Sequence, residues 1–204
     1  MKIIKYYLAL LIIFFSQSLF AQTAASQLSQ YLNHFTTFQA DFNQNTVSQS
    51  HRAMQSSNGK MMLMRPGRFR WDTQNPSHQI VVTNGKTLWI YDIDLKQVTK
   101  QSLSQSGADP AQLLSGNVNH ILAQFNVMIL KQANHTISFQ LKPKKLSQQF
   151  KSVLMMFENN QLTELQVVNS LNQITIFKFS HIILNASLSP NLFNFKAPAG
   201  VDVL

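Results

Sequence analysis

The pattern of apolar and polar positions changes period near the start of the chain. One helical face between residues 25 and 35 is apolar and consists of Leu28, Tyr31, Leu32 and Phe35. This spacing predicts a short amphipathic helix. From Phe38 to Phe42 every second position is apolar, which is typical of a strand with one buried face. The chain therefore predicts a leading helix followed directly by a sheet.

Strand signals continue to about residue 104. The Ser- and Gln-rich stretch "SQSHRAMQSS" (48–57) is expected to be a loop between the first strands. In "MRPGRFRW" (64–71) a Pro-Gly pair marks a turn, after which two aromatic residues alternate with two arginines. "QIVVTNGKTLWIYD" (79–92) has β-rich runs on both sides of Asn84-Gly85, a strong hairpin signal, and "DLKQVTKQSL" (94–103) adds a polar strand. These segments predict a meander.

Two short helices are predicted next. Asp109 is placed as an N-cap with Pro110 at the first helical position, and Gly116 follows as a stop signal. The apolar positions of this pair are Leu113 and Leu114, then Val118, Ile121, Leu122 and Phe125. Strand patterns resume after residue 127 and include "TISFQLKP" (136–143), "SVLMMFENNQLTELQVVN" (152–169) with a turn at Asn159-Asn160, "QITIFKFSHIIL" (173–184) and "NLFNFKAP" (191–198). The pattern predicts one β-rich domain with a leading helix and a two-helix insertion.

The first 21 residues have the organisation of a secretory signal peptide. Lys2 and Lys5 precede an apolar run from Tyr6 to Phe15, and Ala21 ends the following small polar segment. The run is shorter than the roughly 20 residues that a transmembrane helix needs. We expect cleavage after Ala21, with residues 24 and 25 as alternatives, and a single exported domain over residues 22–204.

Composition narrows the class of protein further. The chain has no cysteine, so we expect neither disulfides nor a lipid anchor on a cysteine, and a soluble periplasmic monomer. Removal of the two signal-peptide lysines lowers the formal charge from +9 to +7. This excess of positive charge favours association with anionic surfaces, but it does not identify a partner.

The residues that catalysis and metal binding require are not grouped in the sequence. Asp92 and Asp94 form the one close pair among eight acidic residues, and beside Tyr91 and Lys96 they suit a turn better than a metal site. The six histidines lack zinc-like spacing, and no nucleophile elbow, P-loop or dinucleotide fingerprint occurs. We therefore expect no catalytic residues, no metal and no cofactor. An exported hydrolase with an unrecognised serine stays as an alternative.

Arginines beside aromatic residues at 65–71 also suggest a single-stranded nucleic-acid surface. Strand alternation argues against it, because Phe69 and Trp71 share one face while Arg68 and Arg70 share the other. Export would also remove the chain from cytoplasmic nucleic acid. We expect no nucleic-acid partner and interpret both arginines as part of a solvated face.

Several motifs, in order, resemble the LolA family of periplasmic outer-membrane lipoprotein carriers. They are "TFQADFNQ" (37–44), "MRPGRFRWD" (64–72), "NGKTLWIYD" (84–92) with "LKQVT" (95–99), "DPAQLLSG" (109–116) and "FNFKAPAGVDV" (193–203). The likeness spans nearly all of the chain after the signal, although residues 129–179 match only in strand rhythm.

The resemblance implies a mainly β fold: an unclosed antiparallel β-barrel, or half-barrel, covered by a lid of α-helices around an apolar cavity. It implies a chaperone that accepts lipoproteins from an inner-membrane ABC transporter, shields their acyl chains, and passes them to an outer-membrane receptor. Fifteen Phe and eight Met residues suit a cavity for variable chains, but they suit a plain core equally well.

The resemblance also assigns residues. Arg65 corresponds to the arginine that holds the family's lid closed through backbone carbonyl groups. The expected acyl-chain cavity is lined by Phe38, Phe42, Phe69, Trp71 and, as a weaker candidate, Trp89, since "LWIY" is apolar on both faces. The expected underside of the lid consists of Leu28, Leu32, Leu113, Leu114, Ile121 and Leu122. A binder of another amphiphile, such as a glycolipid or phospholipid, is the nearest alternative function.

Overall fold

The computed structural model describes residues 23–48, 50, 52–103, 110–145 and 150–204. The proposed signal peptide and the Asp109 cap lie outside these residues. The three α-helices of the described part are α1 (Ala24–Asn33), α2 (Pro110–Ser115) and α3 (Val118–Leu122). Its strands are β1 (Thr37–Val47), β2 (Ala53–Met64), β3 (Arg68–Asn75), β4 (Gln79–Asn84), β5 (Thr87–Asp92), β6 (Gln97–Ser102), β7 (Phe125–Ala133), β8 (Thr136–Pro143), β9 (Phe150–Glu158), β10 (Gln161–Asn169), β11 (Ile174–Leu184) and β12 (Asp202–Val203).

These strands form one open sheet in the order β12-β6-β5-β4-β3-β2-β1-β11-β10-β9-β8-β7. All described neighbours pair antiparallel, except that β12 runs parallel to β6. The end strands β12 and β7 do not pair with each other, so the barrel is unclosed. The mainly β fold with few short helices is as predicted.

Some local predictions were wrong. The stretch expected to be a loop supplies the start of β2, and Thr46 pairs with Gln55 beyond the apolar part of the hairpin. "NLFNFKAP" forms a 3-10 helix, Pro190–Phe193, instead of a strand. Its start is capped by the Ser189 hydroxyl, which accepts the N–H of Asn191, and proline suits a first helical position.

Helix ends also differ from the simple periodic pattern. α1 ends at Asn33, so Phe35 lies beyond it, although its side chain is buried. α3 ends at Leu122, and Phe125 begins β7. The start of α1 is fixed by Thr23, whose hydroxyl accepts the N–H of Ser26, an N-cap that satisfies one of the unpaired amides of the first turn.

The sheet buries apolar residues on both faces, but unequally. The inner face carries a continuous core shared by nearly every strand and by the three helices. The outer face of β4 buries Ile80 and Val82 apart from that core, and the 3-10 helix with buried Phe193 packs over β3 and β4. The helices thus cover one face, and the C-terminal segment covers part of the other.

Candidate binding site beneath the helical lid

The inner face of the sheet is built from alternating side chains of long strands. Phe38 and Phe42 of β1 point to this face together with Phe69 and Trp71 of β3, because the register pairs β1 with β2 and β2 with β3 without inverting the alternation. All four belong to the core or pack against it. The structure therefore brings four of the five predicted cavity residues to one surface.

Aromatic rings on this face form a connected cluster. The Phe42 and Trp71 ring centroids are 4.3 Å apart, and Trp71 meets the edge of Phe177 at 5.2 Å. Phe38 meets Phe179 edge-on at 5.6 Å. Offset and edge-on pairs of this kind add about 0.5–1.5 kcal/mol each beyond the burial of their area.

Trp89 was expected on the same surface, and the structure corrects this. Leu88 and Ile90 join the inner core, so the alternation of β5 sends Trp89 to the outer face. There its ring lies 6.4 Å from that of Phe195, which also contacts Tyr91. A strand that is apolar on both sides does not reveal its inner side until its neighbours are known.

Helices α1, α2 and α3 cover the inner face and are called the lid from here on. The predicted underside residues all face the core: Ile121 is partly buried, and the buried ones are Leu28, Leu32, Leu113, Leu114 and Leu122. Tyr31 of α1 adds a ring contact of 4.9 Å to Phe157. Packed side chains therefore fill the face beneath the lid, and this arrangement is a closed one.

Arg65 lies at the end of β2, and its side chain reaches the C-terminal ends of two lid helices, α1 and α2. Its Nε and Nη2 atoms donate to the carbonyl oxygen of Leu114 in α2 at 2.9 and 2.8 Å. Its Nη1 donates to the carbonyl oxygens of Leu32 in α1 and, at 3.2 Å, of Phe35. These carbonyls lie at helix C-terminal ends, where backbone acceptors lack partners within the helix.

The surroundings of Arg65 are largely apolar. Its Cζ lies 4.3 Å from the centroid of the Phe35 ring, a cation–π distance. Burial lowers the pKa of Arg65 from its ordinary value to about 10, because a low-dielectric environment disfavours the charged form. The guanidinium stays charged at neutral pH, so its five donors remain available to the lid carbonyls.

The turn after Arg65 makes a second contact with the lid that the sequence analysis missed. The Gly67 N–H donates to the carbonyl oxygen of Ser115 at 2.7 Å. Gly67 has φ +76°, and an added Cβ would lie 3.4 Å from the Cα of Gly85. The Pro-Gly pair predicted the turn, but nothing in the pattern predicted its acceptor.

Asn185 holds the segment that follows α1, next to the carbonyls that Arg65 binds, and was also missed. Its Oδ1 accepts the N–H of Thr36 at 2.8 Å, and its Nδ2 donates to the carbonyl oxygen of His34 at 3.2 Å. Asn185 has φ 58°, a left-handed conformation that Asn tolerates better than most residues. The segment that leads from α1 into β1 is therefore fixed to the end of β11.

Two cavities adjoin the packed face. One, of about 250 Å³, lies at the seam between the lid and the sheet and is lined by Leu103, Leu113, Ile121 and Phe125 among others. The other, of about 320 Å³, lies at the end of the inner face remote from Arg65 and has Trp71 in its wall.

Asp92 and Asp94, the acidic pair considered as metal ligands, accept backbone hydrogen bonds in the structure. Asp92 accepts the N–H of Leu95 at 2.9 Å, and Asp94 accepts the N–H of His78 at 3.0 Å. The Asp92 carboxylate thus closes a turn, and the Asp94 carboxylate joins the β5–β6 turn to the β3–β4 connection. In the part of the chain that the structure covers, no three His, Asp or Glu side chains converge on a common point.

Among the described helices, none has the length and apolarity to cross a membrane.

Comparison with known proteins agrees with this architecture. A family model described as outer membrane lipoprotein carrier protein LolA matches residues 33–196. An outer-membrane lipoprotein carrier protein of Coxiella burnetii is 47% identical over 183 residues, covering 89% of this chain and 86% of its own. A protein of the same name from Legionella pneumophila is 39% identical over 201 residues and 98% of each chain. A solved structure of an uncharacterised conserved protein from Thermus thermophilus shares the fold, with a TM-score of 0.58, 10% identity, and coverage of 89% of this chain and 99% of that one.

The family model covers most of the chain and the two relatives match along nearly all of their length; the chain belongs to the LolA family of outer-membrane lipoprotein carrier proteins.

Proposed function

We propose that this protein is a periplasmic carrier that shields the acyl chains of lipoproteins on the inner face of its sheet. The observation that supports this most is the lid, which covers a continuous apolar face and is attached to the sheet by Arg65. The family relatives are named for lipoprotein carriage. Catalysis has no place in this function.

The free energy of transferring an acyl chain out of water explains why the lid covers the inner face when no cargo is bound. At ~0.8 kcal/mol per methylene, one 16-carbon chain gains roughly 12 kcal/mol on leaving water. A permanently open face would hold such cargo too tightly to release it and would expose a large apolar patch. In the closed state the lid leucines occupy the face, so binding must displace them, and the cost of opening lowers the net affinity.

Arg65 is proposed as the latch of this lid. Its donors join α1 and α2 to the end of β2, so that these contacts must break before the lid opens and cargo enters. Phe38, Phe42, Phe69 and Trp71 are proposed to contact the acyl chains once the lid moves.

The proposed route has two partners. An inner-membrane ABC transporter releases lipoproteins to the carrier, and an outer-membrane receptor accepts them. Residues 1–21 are proposed to direct export to the space between the two membranes.

The test is release of lipoprotein from spheroplasts. Purified protein without residues 1–21 is added to spheroplasts that contain the transporter, and the supernatant is assayed for acylated lipoprotein bound one to one. ATP-dependent release supports the carrier. If no lipoprotein is released and native mass spectrometry finds bound phospholipid or glycolipid, the inner face binds a different amphiphile and the lipoprotein cargo is refuted.

The latch is tested in the same assay with Arg65→Leu, and Arg68→Leu serves as the matched control. Arg68 lies three positions away on the outer face, where it contacts Met64. Arg65→Leu is expected to fold and to change loading or onward release, while the control behaves as wild type. Normal rates of both steps in Arg65→Leu would refute the latch.

A further inference from the structure

The cavity remote from Arg65 differs in character from the face beneath the lid. It occupies about 320 Å³ between the far ends of β1, β2, β3 and β4, and Pro76 and Ser77 of the β3–β4 connection close one side. This volume lies at the lower end of ligand sites, which span about 300–1,000 Å³. It suits a small head group better than a set of acyl chains.

The rim of this cavity is polar and uncharged. The polar side chains that line it are Gln44, Gln55, Ser57, Thr73, Ser77 and Gln79. None of its described lining residues is charged, although the whole chain has 17 Lys and Arg against eight Asp and Glu. Within the described residues, the side-chain amides of Gln44, Gln55 and Gln79 make no hydrogen bond to protein. The amide of Gln166, by contrast, donates to Glu164 at 2.6 Å.

The floor of the cavity is aromatic and connects to the core. It consists of Phe69, Trp71 and Phe177. Phe69 is only 2% exposed, whereas Trp71 is partly exposed and stacks on buried Phe42. A molecule in the cavity would therefore rest on Trp71, with the apolar face directly behind that ring.

From this arrangement we propose that the glutamine rim is a head-group site, which holds the ester and amide carbonyls that join acyl chains to a protein. The proposal rests on the proposed carrier function and adds the basis of its selectivity. A glutamine amide offers two donors and an acceptor, which matches uncharged carbonyl and N–H groups. The acyl chains attached to this head continue past Trp71 to the inner face.

The same rim rejects phospholipids. A phosphodiester carries a full charge and binds best to Arg, Lys or a set of backbone amides. In a cavity whose described wall holds no cation, that charge loses water without gaining a partner. Two amphiphiles with equal acyl chains are thus separated by their heads alone.

Trp71 provides the signal for a test. The chain has two tryptophans, and Trp89→Phe removes the one on the outer face, so that fluorescence reports on the cavity. The probes are a synthetic diacylglyceryl-cysteine peptide and phosphatidylglycerol with the same acyl chains. The lipopeptide is expected to bind at least about tenfold more tightly, as the loss of a charged group's partners implies.

Substitutions then place a cation in the rim. Gln79→Lys is expected to weaken lipopeptide binding and to strengthen phosphatidylglycerol binding, which reduces the preference by about tenfold. Gln55→Lys, at an exposed rim position, tests the same point if Gln79→Lys fails to fold. Gln74→Lys is the matched control, because Gln74 is exposed on β3 and does not line the cavity.

The outcomes separate the head-group site from the carrier function. Equal binding of both probes by the single-tryptophan protein, or an unchanged preference in both rim variants, overturns the head-group site; lipoprotein release from spheroplasts would then still support the carrier. Failure to bind the lipopeptide at all overturns the head-group site, and failure of release as well overturns the carrier.

Discussion

Arg65 joins its guanidinium to neutral carbonyl oxygens, and within the described residues no carboxylate lies within salt-bridge distance of it. A hydrogen bond to a charged group contributes about 1.5–3 kcal/mol. In an open lid, water can take the place of each carbonyl. If Arg65 is the latch we propose, the lid opens without separating an ion pair.

The pKa of Arg65 predicts how the lid responds to pH. Burial lowers this pKa to about 10, so the guanidinium is protonated in open and closed states at neutral pH. At any pH well below 10, the free-energy cost of burying the charged guanidinium on closure is constant. As pH rises through the lowered pKa, the closed state loses its proton first, and by linkage closure becomes more favourable.

Arg65 therefore gives the lid no pH dependence between about pH 6 and 9. Trp71 fluorescence and hydrophobic-dye binding of the empty protein should stay constant over this range. A lid that opens as pH rises from 6 to 8 would contradict this prediction.

Gly59 shows how close the packing of the inner face is. A Cβ at this position would lie 1.9 Å from the carbonyl oxygen of Asp72 and 3.0 Å from the ring of Phe42. Gly59→Ala must therefore push β2 from β3, and we expect the free energy of unfolding to fall by about 1–3 kcal/mol or more. Urea denaturation measures the change. Lys60→Ala, at the exposed neighbouring position, should have little effect, and equal stability of both variants would contradict this account.

At the scale of elements, β4 and β5 have apolar side chains on both faces of the sheet. Val81 and Leu88 face the inner core, while Val82 and Trp89 lie on the outer face near the C-terminal segment. Strands buried on both sides lose the simple alternation of apolar and polar residues. The outer layer thus stabilises the sheet without taking part in the binding face.

Phe193 tests this division of roles. Its side chain is 0% exposed and lies outside the inner core. Phe193→Ala is expected to lower the free energy of unfolding by about 3–5 kcal/mol, as large-to-small changes at buried aromatic positions do. Lipopeptide binding should remain at wild-type strength at temperatures where the variant is folded. Loss of binding by fully folded Phe193→Ala would show that the two layers are coupled.

At the scale of the whole molecule, the lid draws on distant parts of the chain. α1 precedes the first strand, whereas α2 and α3 lie between β6 and β7, the strands nearest the two free edges of the sheet. The insertion therefore connects the two end regions of the sheet across its inner face, with α2 against β2 and β3 and α3 against β7. In the opening we propose, these short helices move and no strand pairing breaks.

The charge of the whole molecule predicts a salt effect on transfer but not on binding. The excess of Lys and Arg steers the protein toward anionic membrane surfaces, and screening shortens from about 10 Å at 0.1 M salt to about 3 Å at 1 M. The rate of lipoprotein release from spheroplasts should fall as salt rises. Lipopeptide affinity should change little, because the binding face is apolar and the described cavity rim is uncharged. An equal salt dependence of both would refute steering.

The sequence by itself determined most of the helices and strands and which of them have one apolar face. The helical spacing of Leu28 and Leu32 and the alternation of Phe69 and Trp71 with arginines encode burial locally, since side-chain direction repeats with the period of the backbone. The family motifs added Arg65. The two periodic predictions hold because each depends on residues a few positions apart, whereas the role of Arg65 as a latch stays a prediction.

Only the tertiary structure decided what the elements face and which side chains come together. Trp89 is apolar on a strand that is apolar on both sides, so its outward direction followed from its neighbours. The acceptors of Arg65 and Gly67 are main-chain carbonyls, which every residue carries and which leave no mark in the sequence. The uncharged rim formed because β1, β2 and β4 each bring one glutamine from a distant segment to the same cavity, and β3 adds Thr73. Long-range pairing, which no local period specifies, made the site.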